Sequence, residues 1–531
     1  MTRDERRDSI GMKSRVRYGA ATAAGMLVAL LGGCMVGPDY VRPKAIEPPA
    51  YKETGTWKVA QPAAELPRGA WWDIFGDRQL DELIRRIDIS NQNLRAAEAQ
   101  FRQAVAVAEQ TRASLFPSLS ATASVSRARS SALSPAAQAP APFNTYTASA
   151  AANWTVDVWG SIRRTLEANE SNAQASAATL ASARLSAQAL LATDYFALRI
   201  ADAQKGVLEQ TVKAYQTSYD LTVNRYKSGV AAKSDVVQAQ TQLVSTQAAL
   251  IDVGVQRAQL EHAIATLVGV PPSELTIPSE PLAAALPDVP LAIPSALLER
   301  RPDIAVAERQ VQAANAQIGV ATAAFFPVLS IAGSGGFRSF VFPRLFNIPN
   351  RFWSIGPSLS ETLLDFGARS AVKSQAIAAH ESAVANYRQV VLAAFQQVED
   401  NLAALRILEE EARVQEEAVR LARESVNLTL NQYKAGTVNY LNVITVQATE
   451  LSNESTAIAL LGRRLAASVN LVQAMGGGWA ADQIPAGLGG LERLAEDLKA
   501  SGSVPAAAPA GPAAYAAPPP DPAAGVPIAP R

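Results

Sequence analysis

The chain has 531 residues, of which 6% are aromatic and 18% are charged, and its 48 basic residues are balanced by 48 acidic ones. A balanced charge without a long basic block argues against nucleic acid as a partner. One cysteine rules out an intrachain disulfide, and two histidines are too few for a Cys/His zinc site. Because the motifs HExxH, GxxxxGKS/T and GxSxG are also absent, we predict that the protein is not an enzyme and holds no cofactor.

The first segment indicates how the chain is targeted. Basic residues precede the apolar stretch 20–31, which is too short to span a bilayer stably and ends in LGGC. This pattern resembles a bacterial lipoprotein signal, so we expect residues 1–33 to be removed and Cys34 to carry a diacylglycerol and an N-acyl chain. Met35, rather than Asp, follows the cysteine, and this is typical of sorting to the outer membrane. The alternative is an ordinary secretory leader with an incidental cysteine.

After the anchor, the segment 34–70 is dense in proline and is predicted to run extended. The next unit, 71–270, contains in order a helix, two strands, a long helix, a tip turn and a return helix. Apolar and polar residues alternate along the strands, whereas the long helix lacks proline and shows a heptad seam. The strands are predicted at about 116–128 and 144–158, and the tip turn at 227–234.

The same order of elements recurs, so the chain contains an internal two-fold repeat. A proline-rich equatorial connector at 271–300 leads into the second unit, 301–478, and 479–531 is predicted to be an equatorial, disordered Ala/Pro-rich tail. The two tip turns share the pattern NxYKxG, and their tyrosines, Tyr226 and Tyr433, are 433 − 226 = 207 residues apart. The strands of the second unit are predicted at about 327–340 and 352–365, and its tip turn at 434–441.

The four strands impose a requirement on assembly. Each is about ten residues long and apolar on one side, which is typical of a transmembrane β-strand. Aromatic residues punctuate the strands, and we expect Tyr146, Trp154 and Trp353 at the membrane–water interface. Open sheet edges cannot lie in lipid, and four strands are too few to close around a filled interior, so several copies must combine. The alternative is a soluble sheet covered by the helices.

Taken together, the segments resemble the outer membrane factor family, the TolC-like exit ducts of tripartite efflux pumps, and in particular its lipoprotein branch. The residues that carry the resemblance, over roughly 31–478, are LGGCMVGPDYVRP, RRPDIAVAERQVQAANAQIGVATAAFFPVLS, GPSLSETLLDFGAR and the two tip turns. The resemblance implies a mixed α/β membrane protein, without catalysis, that is lipid-anchored in the bacterial outer membrane. It also implies a homotrimer whose 12-stranded transmembrane β-barrel, four strands per protomer, continues into a long periplasmic α-helical barrel of coiled-coil helices. The implied partners are a periplasmic adaptor protein and an inner-membrane RND pump.

The tips of the helical barrel form the gate in that family. Asp235 matches an acidic gate position, Tyr433 matches the tyrosine that begins the second turn, and Leu441 matches a position where some members place a leucine constriction. Asn442 and Thr445 stand where relatives often carry acids, so we expect this gate to depend on Leu441 and hydrogen bonds more than on salt bridges.

The tip turns also suggest where an adaptor makes contact, namely at Gly229, Val230, Gly436 and Thr437. Simpler roles are open for several of these residues. The glycines are also expected to meet a backbone requirement for positive φ, Tyr433 to pack in the seam, and Asp235 to cap the helix after the first turn.

The function predicted from the sequence is that of a passive trimeric channel, gated at its periplasmic tip, that conducts drugs or other toxic small molecules to the exterior. One alternative is the same duct serving protein or signal-molecule secretion with an ABC exporter. A second, from another class, is a non-channel structural lipoprotein of the envelope.

Overall fold

The structure is a computed structural model that describes residues 35–45, 48, 50–54, 70–129, 142–280 and 297–501. The predicted signal peptide, Cys34 and residues 502–531 lie outside the described residues. In the described ranges no helix combines the length and apolarity needed to cross a membrane. The strands are β1 (Ser118–Ala128), β2 (Phe143–Val156), β3 (Val328–Ser339) and β4 (Arg351–Ser360). The helices are α1 (Arg78–Ser90), α2 (Gln92–Ala113), α3 (Ser161–Lys227), α4 (Lys233–Val268), α5 (Leu297–Arg300), α6 (Pro302–Ala323), α7 (Ala368–Ala435), α8 (Tyr440–Ala474) and α9 (Leu488–Ser501).

The strands form one antiparallel sheet in the order β1-β2-β3-β4, so β1 and β4 are its two edges. Each strand continues into a helix of the layer below it, because α2 leads into β1, β2 leads into α3, α6 leads into β3 and β4 leads into α7. The helices contact one another in the matching order α2-α3-α6-α7. Each strand is therefore continuous with one helix, and the order of neighbours in the helical layer is the same as in the sheet.

The two faces of the sheet differ in polarity, as the alternation predicts. Cross-strand partners place Leu119, Ala152 and Ile355 in one row, and the other residues of that face are also mainly apolar or aromatic. The opposite face carries hydroxyl groups that bond across strands, at 3.0 Å between Ser330 and Ser358. The apolar face is exposed in a single copy of the chain.

The helical layer is extended because α3 has 67 residues and α7 has 68, each about 100 Å at 1.5 Å per residue. In the half nearest the sheet, α2 and α6 pack on α3. In the half farther from the sheet, α4 and α8 pack on α3, and α7 packs along α8. The order in that distant half is α4-α3-α8-α7. Heptad positions of α3 such as Leu208, Tyr215 and Thr222 are buried in these contacts.

The largest apolar core lies at the level where the two halves meet. It is built around fully buried aromatic side chains, including Trp71, Tyr195 and Phe196. A buried ionic network lies beside it, in which Asp202 accepts hydrogen bonds from Arg199 at 3.3 Å and from Arg257 at 2.7 Å. These arginines also donate to the carbonyls of 278 and 277, respectively, which ties the chain after α4 to the long helix α3.

Three sequence expectations differ from the structure. The first helix is not continuous from Trp71, because a short 3-10 turn and α1 precede α2 and the chain breaks again at Asn91. The Asn91 side chain accepts from the backbone N–H of Leu94 and donates to the Leu267 carbonyl at 2.6 Å, so the break caps α2 and receives the end of α4.

Strand β4 ends at Ser360, five residues before the predicted end at 365. Ser360 pairs with Val328, the first residue of β3, so in the described part of the chain the residues after Ser360 have no partner strand. The predicted alternation continues beyond the point where intrachain hydrogen bonding stops.

The tail is not wholly irregular, since 488–501 forms α9. Leu488 and Leu491 are buried against Phe101 and Val105 of α2, and Glu492 pairs with Arg112 at 2.8 Å. Leucines at 488, 491, 494 and 498 have helical spacing, which is the signal that predicts this helix.

Replacing Asp202 by Asn should destabilise the protein, because Arg199 and Arg257 would lose the buried charge that they share. Breaking a buried ion pair costs about 3–5 kcal/mol, so we expect a clearly lower melting temperature in detergent. The matched control is Glu417→Gln, which breaks an exposed pair with Arg420. Solvent screens such an exposed pair, so its loss should hardly change the melting temperature. Equal melting temperatures for both variants would contradict this assignment.

Candidate functional site at the hairpin tips

The first tip turn joins α3 to α4 through residues 228–232. Gly229 has φ +76, its N–H donates to the Tyr226 carbonyl at 2.9 Å, and the N–H of Val230 donates to the Arg225 carbonyl at 2.9 Å. This pair of bonds, with a left-handed residue between them, is a Schellman motif that ends the long helix.

The second tip turn joins α7 to α8 through residues 436–439 and repeats this geometry. Gly436 has φ +79, its N–H donates to the Tyr433 carbonyl at 3.0 Å, and Thr437 N–H donates to the Gln432 carbonyl at 3.1 Å. The expected need for positive φ at both glycines is therefore confirmed. A Cβ at either position would be strained by the backbone conformation.

A small apolar cluster joins the two hairpins just behind the turns. Ala239 of α4 is buried together with Tyr433, Tyr440 and Val443. The rings of Tyr433 and Tyr440 are 5.4 Å apart, and the Tyr433 hydroxyl donates to the Thr222 hydroxyl at 3.3 Å. Burial raises the pKa of the Tyr440 phenol well above its usual range, so this side chain stays neutral. Tyr433 is thus a packing residue within one chain.

Arg225 provides a second link between the hairpins, and the sequence analysis missed it. Its guanidinium lies 4.7 Å from the centre of the Tyr433 ring, and its Nη1 donates to the Lys434 carbonyl at 3.1 Å. It therefore binds the last turn of α7, where unpaired carbonyls favour a cation. The sequence contained one signal for this role. The equivalent position in the second repeat is Gln432, so the two otherwise similar turns differ in charge here.

The remaining predicted gate residues lie on the first turns of the return helices. Leu441 is 55% exposed, and the hydroxyl of Thr445 donates to the Leu441 carbonyl. The side chain of Asn442 is exposed, while its backbone N–H donates to Asn439, which caps α8. Neither Leu441 nor Asn442 contributes to the buried cluster.

The capping role considered for Asp235 is wrong. Helix α4 begins after Ala232, which has no side-chain cap, and Asp235 is already in the first turn. There its carboxylate is half-buried, near the phenol of Tyr440 and favourably placed for the helix dipole.

The predicted interface aromatics lie at different heights on the sheet. Tyr146 and Trp154 are eight residues apart on β2, or about 27 Å at 3.4 Å per residue, close to the thickness of a bilayer core. Trp353 is aligned through Gly335 with Ala150, so in the sheet register it lies halfway between them.

The residues after Cys34 dock at the junction of β2 and α3. Val36 N–H donates to the Trp159 carbonyl at 3.2 Å, and Arg164, whose side chain is 2% exposed, pairs with Asp39 at 2.8 Å. A Cβ on Gly37 would lie 2.4 Å from the Gly319 Cα, so the segment packs tightly against α6. The segment that begins at Met35 is therefore held beside the end of the sheet.

No cluster of metal-ligating side chains occurs in the described part of the chain. A two-faced sheet continued by helices of about 100 Å, with capped hairpin tips, instead defines the class of outer-membrane channels that extend into the periplasm. The chain belongs to the outer membrane efflux protein family, whose sequence profile matches residues 83–270 and 293–477. The two matched segments correspond to the two repeats.

Individual relatives agree with this family. The chain is 31% identical over 458 residues to the antibiotic efflux pump outer membrane protein ArpC of Pseudomonas putida, which covers 85% of this chain and 94% of the relative. The toluene efflux pump outer membrane protein TtgC, also of Pseudomonas putida, gives the same identity and coverage. The solved structure of the outer-membrane channel OprN matches with a TM-score of 0.78 and 29% identity, over 84% of this chain and 100% of that chain.

Replacing Arg225 by Gln should loosen the tips, because the cation–π contact and the bond to the Lys434 carbonyl are both lost. Together these contacts are worth about 1.4 kcal/mol, so we expect about ten-fold faster amide exchange around both turns in hydrogen-exchange mass spectrometry. Lys434→Gln is the matched charge control, since Lys434 takes part through its main chain. Unchanged amide exchange in Arg225→Gln would show that Arg225 does not link the two hairpins.

Proposed function

We propose that three copies of this chain form an outer-membrane exit duct for toxic small molecules, as a 12-stranded β-barrel continued by a helical tube. The observation that carries the proposal is the open sheet with one apolar face, whose two edge strands each pair on one side only within the described residues. Unpaired backbone groups cannot remain in lipid, so pairing β4 of one copy with β1 of the next satisfies both edges.

The helices support closure in the same direction. In the distant half of the layer, α4 and α7 are the outer helices, and each carries exposed apolar residues seven positions apart. Such stripes are typical of a coiled-coil seam that lacks its partner helix. Packing the α4 stripe of one copy on the α7 stripe of the next continues the tube below the barrel. The stripes are Val237, Val244 and Ile251 on α4, and Ile407, Val414, Leu421 and Leu428 on α7.

The length of α3 and α7 places the tips about 100 Å from the sheet, deep in the periplasm. The proposed anchor, a diacylglycerol and an N-acyl chain on Cys34, fits the docking of Val36 beside the sheet end. The proposed partners are a periplasmic adaptor, contacting the exposed turn residues Gly229, Val230, Gly436 and Thr437, and an inner-membrane RND pump.

The proposed cargo is a drug or another toxic small molecule. This rests on relatives named for antibiotic and toluene efflux that are similar along nearly their whole length. The proposed gate consists of Leu441, supported by Asn442 and Thr445, with Asp235 and Tyr433 on the neighbouring helices.

Deleting the gene should make the cells several-fold more sensitive to a panel of antibiotics, dyes and bile salts, because their exit route is lost. Growth inhibition with and without the wild-type gene restored in trans measures this. Unchanged sensitivity together with loss of a secreted protein would instead favour a duct for protein secretion.

The gate composition predicts a conductance that depends less on pH than in acid-rich relatives, since Asn442 and Thr445 cannot ionise and Asp235 is the one carboxylate of the proposed gate. Asn442→Asp should strengthen this dependence, because the added carboxyl loses its charge as pH falls through about 4. An acid at this position suits the first turn of α8, so the fold should be retained. Single-channel recordings of both proteins measure the difference. A strong carboxylate-like step already present in the wild type would contradict the gate assignment.

A further inference from the structure

An aromatic stack inside the chain joins two strand–helix junctions. Trp159, between β2 and α3, stacks on Phe326, between α6 and β3, with ring centres 4.7 Å apart and planes 24° apart. The indole N–H also donates to the Pro327 carbonyl at 2.8 Å. Neighbouring strand–helix units are thus fastened to each other where the sheet meets the helices.

The internal repeat gives each of these residues a counterpart, and both counterparts are exposed. Phe116 precedes Pro117 as Phe326 precedes Pro327, and Phe366 precedes Gly367 as Trp159 precedes Gly160. Phe116 is 67% exposed and Phe366 is 93% exposed. Neither ring contacts another aromatic ring in the described residues.

Phe366 is also held in an uncommon backbone conformation. Its φ is +51, the one positive value at a non-glycine residue in the described ranges. The Asp365 carboxylate maintains the turn by accepting from Gly367 N–H at 3.0 Å and from the Arg369 side chain at 2.6 Å. A strained residue that presents its ring to solvent indicates a contact that a single chain does not contain.

We propose that Phe366 of each copy stacks on Phe116 of the next copy, as Trp159 stacks on Phe326 within the chain. This inference rests on the proposed trimer and specifies how its copies are fastened and in which strand register. The occupant of this exposed surface is therefore a second copy of the same chain.

The register follows from the repeat, which the sheet itself obeys. Equivalent residues of the two units differ by a constant number. The difference is 326 − 116 = 210 at the first strands and 366 − 159 = 207 at the second strands. Applied to the pair Ser118–Asn153, these shifts give Val328–Ser360, which is the pair observed between β3 and β4. The relation between the two hairpins is therefore conserved to the residue.

The same shifts convert the β2–β3 pairing into a pairing between copies. The pair Ala152–Gly333 becomes Leu359 opposite Ala123 of the next copy, and Ala150–Gly335 becomes Pro357 opposite Val125. The last β2–β3 pair, Val156–Leu329, becomes Leu363 opposite Leu119, so the residues after Ser360 gain partners as far as Leu363.

Side-chain polarity supports this register independently. It places Leu359 and Pro357, from the apolar face of β4, opposite the apolar face of β1, and Ser358 opposite Ser124 on the polar face. A slip by one residue would put apolar side chains opposite hydroxyl groups and turn one strand inside out.

Paired cysteines in the full-length protein test the register. Residues directly opposite in an antiparallel pair have Cα atoms about 4.5–5.5 Å apart, within disulfide range. Leu359→Cys with Ala123→Cys should therefore link copies into covalent multimers on non-reducing gels of outer membranes. Leu359→Cys with Leu119→Cys, four residues out of register, is the matched control. Within one chain β1 and β4 are three strand spacings apart, about 14 Å, so intrachain linkage is excluded.

The outcomes separate the inference from the proposed function. Cross-linking of the first pair alone supports the register. Cross-linking of the control pair alone, or of neither pair while a chemical cross-linker still captures trimers, overturns the register and leaves the duct intact. A protein that stays monomeric with every reagent overturns the proposed trimer and this inference with it.

Two substitutions at Phe366 test the stack. Glycine adopts positive φ without strain, so Phe366→Gly removes the ring while relieving the backbone. We expect it nevertheless to lower the temperature at which the trimer dissociates in detergent. Phe366→Trp should raise that temperature, because its N–H could donate to the Pro117 carbonyl of the next copy as Trp159 does to Pro327. An unchanged or higher temperature for Phe366→Gly would overturn the stack.

Discussion

Hydrogen bonding of the backbone at the two sheet edges is the constraint on which the rest of the structure depends. A sheet whose apolar face is directed at lipid must leave no edge unpaired, and the described residues provide four strands whose two outer edges are not paired among them. Assembly is therefore a condition for the fold in the membrane rather than a later addition to it. The stripes on α4 and α7 indicate that the helices also assemble with other copies, because their apolar side chains are exposed in a single copy.

The internal repeat allows one type of strand–strand contact to satisfy that constraint both within and between copies. The contact between the two repeats inside the chain, β2 against β3, has the same form as the contact required between copies, β4 against β1. One interface geometry can thus be used six times around a closed ring of three chains. The paired shifts of 210 and 207 residues show that the pairing inside each hairpin, β1 with β2 and β3 with β4, has been retained where the side chains have diverged.

The sequence predicted the elements whose cause is local and missed those whose cause lies elsewhere in the chain. Alternation located the strands and NxYKxG located the turns, because side-chain period and glycine conformation are local properties. The break at Asn91 depends on the end of α4, so it does not follow from its own segment alone. The leucine spacing of 488–498 was a local signal for α9, but the surface of α2 on which it packs lies elsewhere in the chain. Arg225 was missed for the same reason, since its partner carbonyl is at Lys434.

The two tip turns have the same backbone geometry but make different side-chain contacts. Tyr226 and Tyr433 occupy equivalent positions, yet Tyr226 is exposed whereas Tyr433 is buried between the hairpins. Arg225 binds the second hairpin, whereas its counterpart Gln432 is exposed and has no charge to offer. The two hairpins of one chain are therefore joined by contacts that belong to neither turn alone. A motion that separates α3 from α7 at the tips must therefore break the Tyr433–Thr222 and Arg225–Lys434 hydrogen bonds.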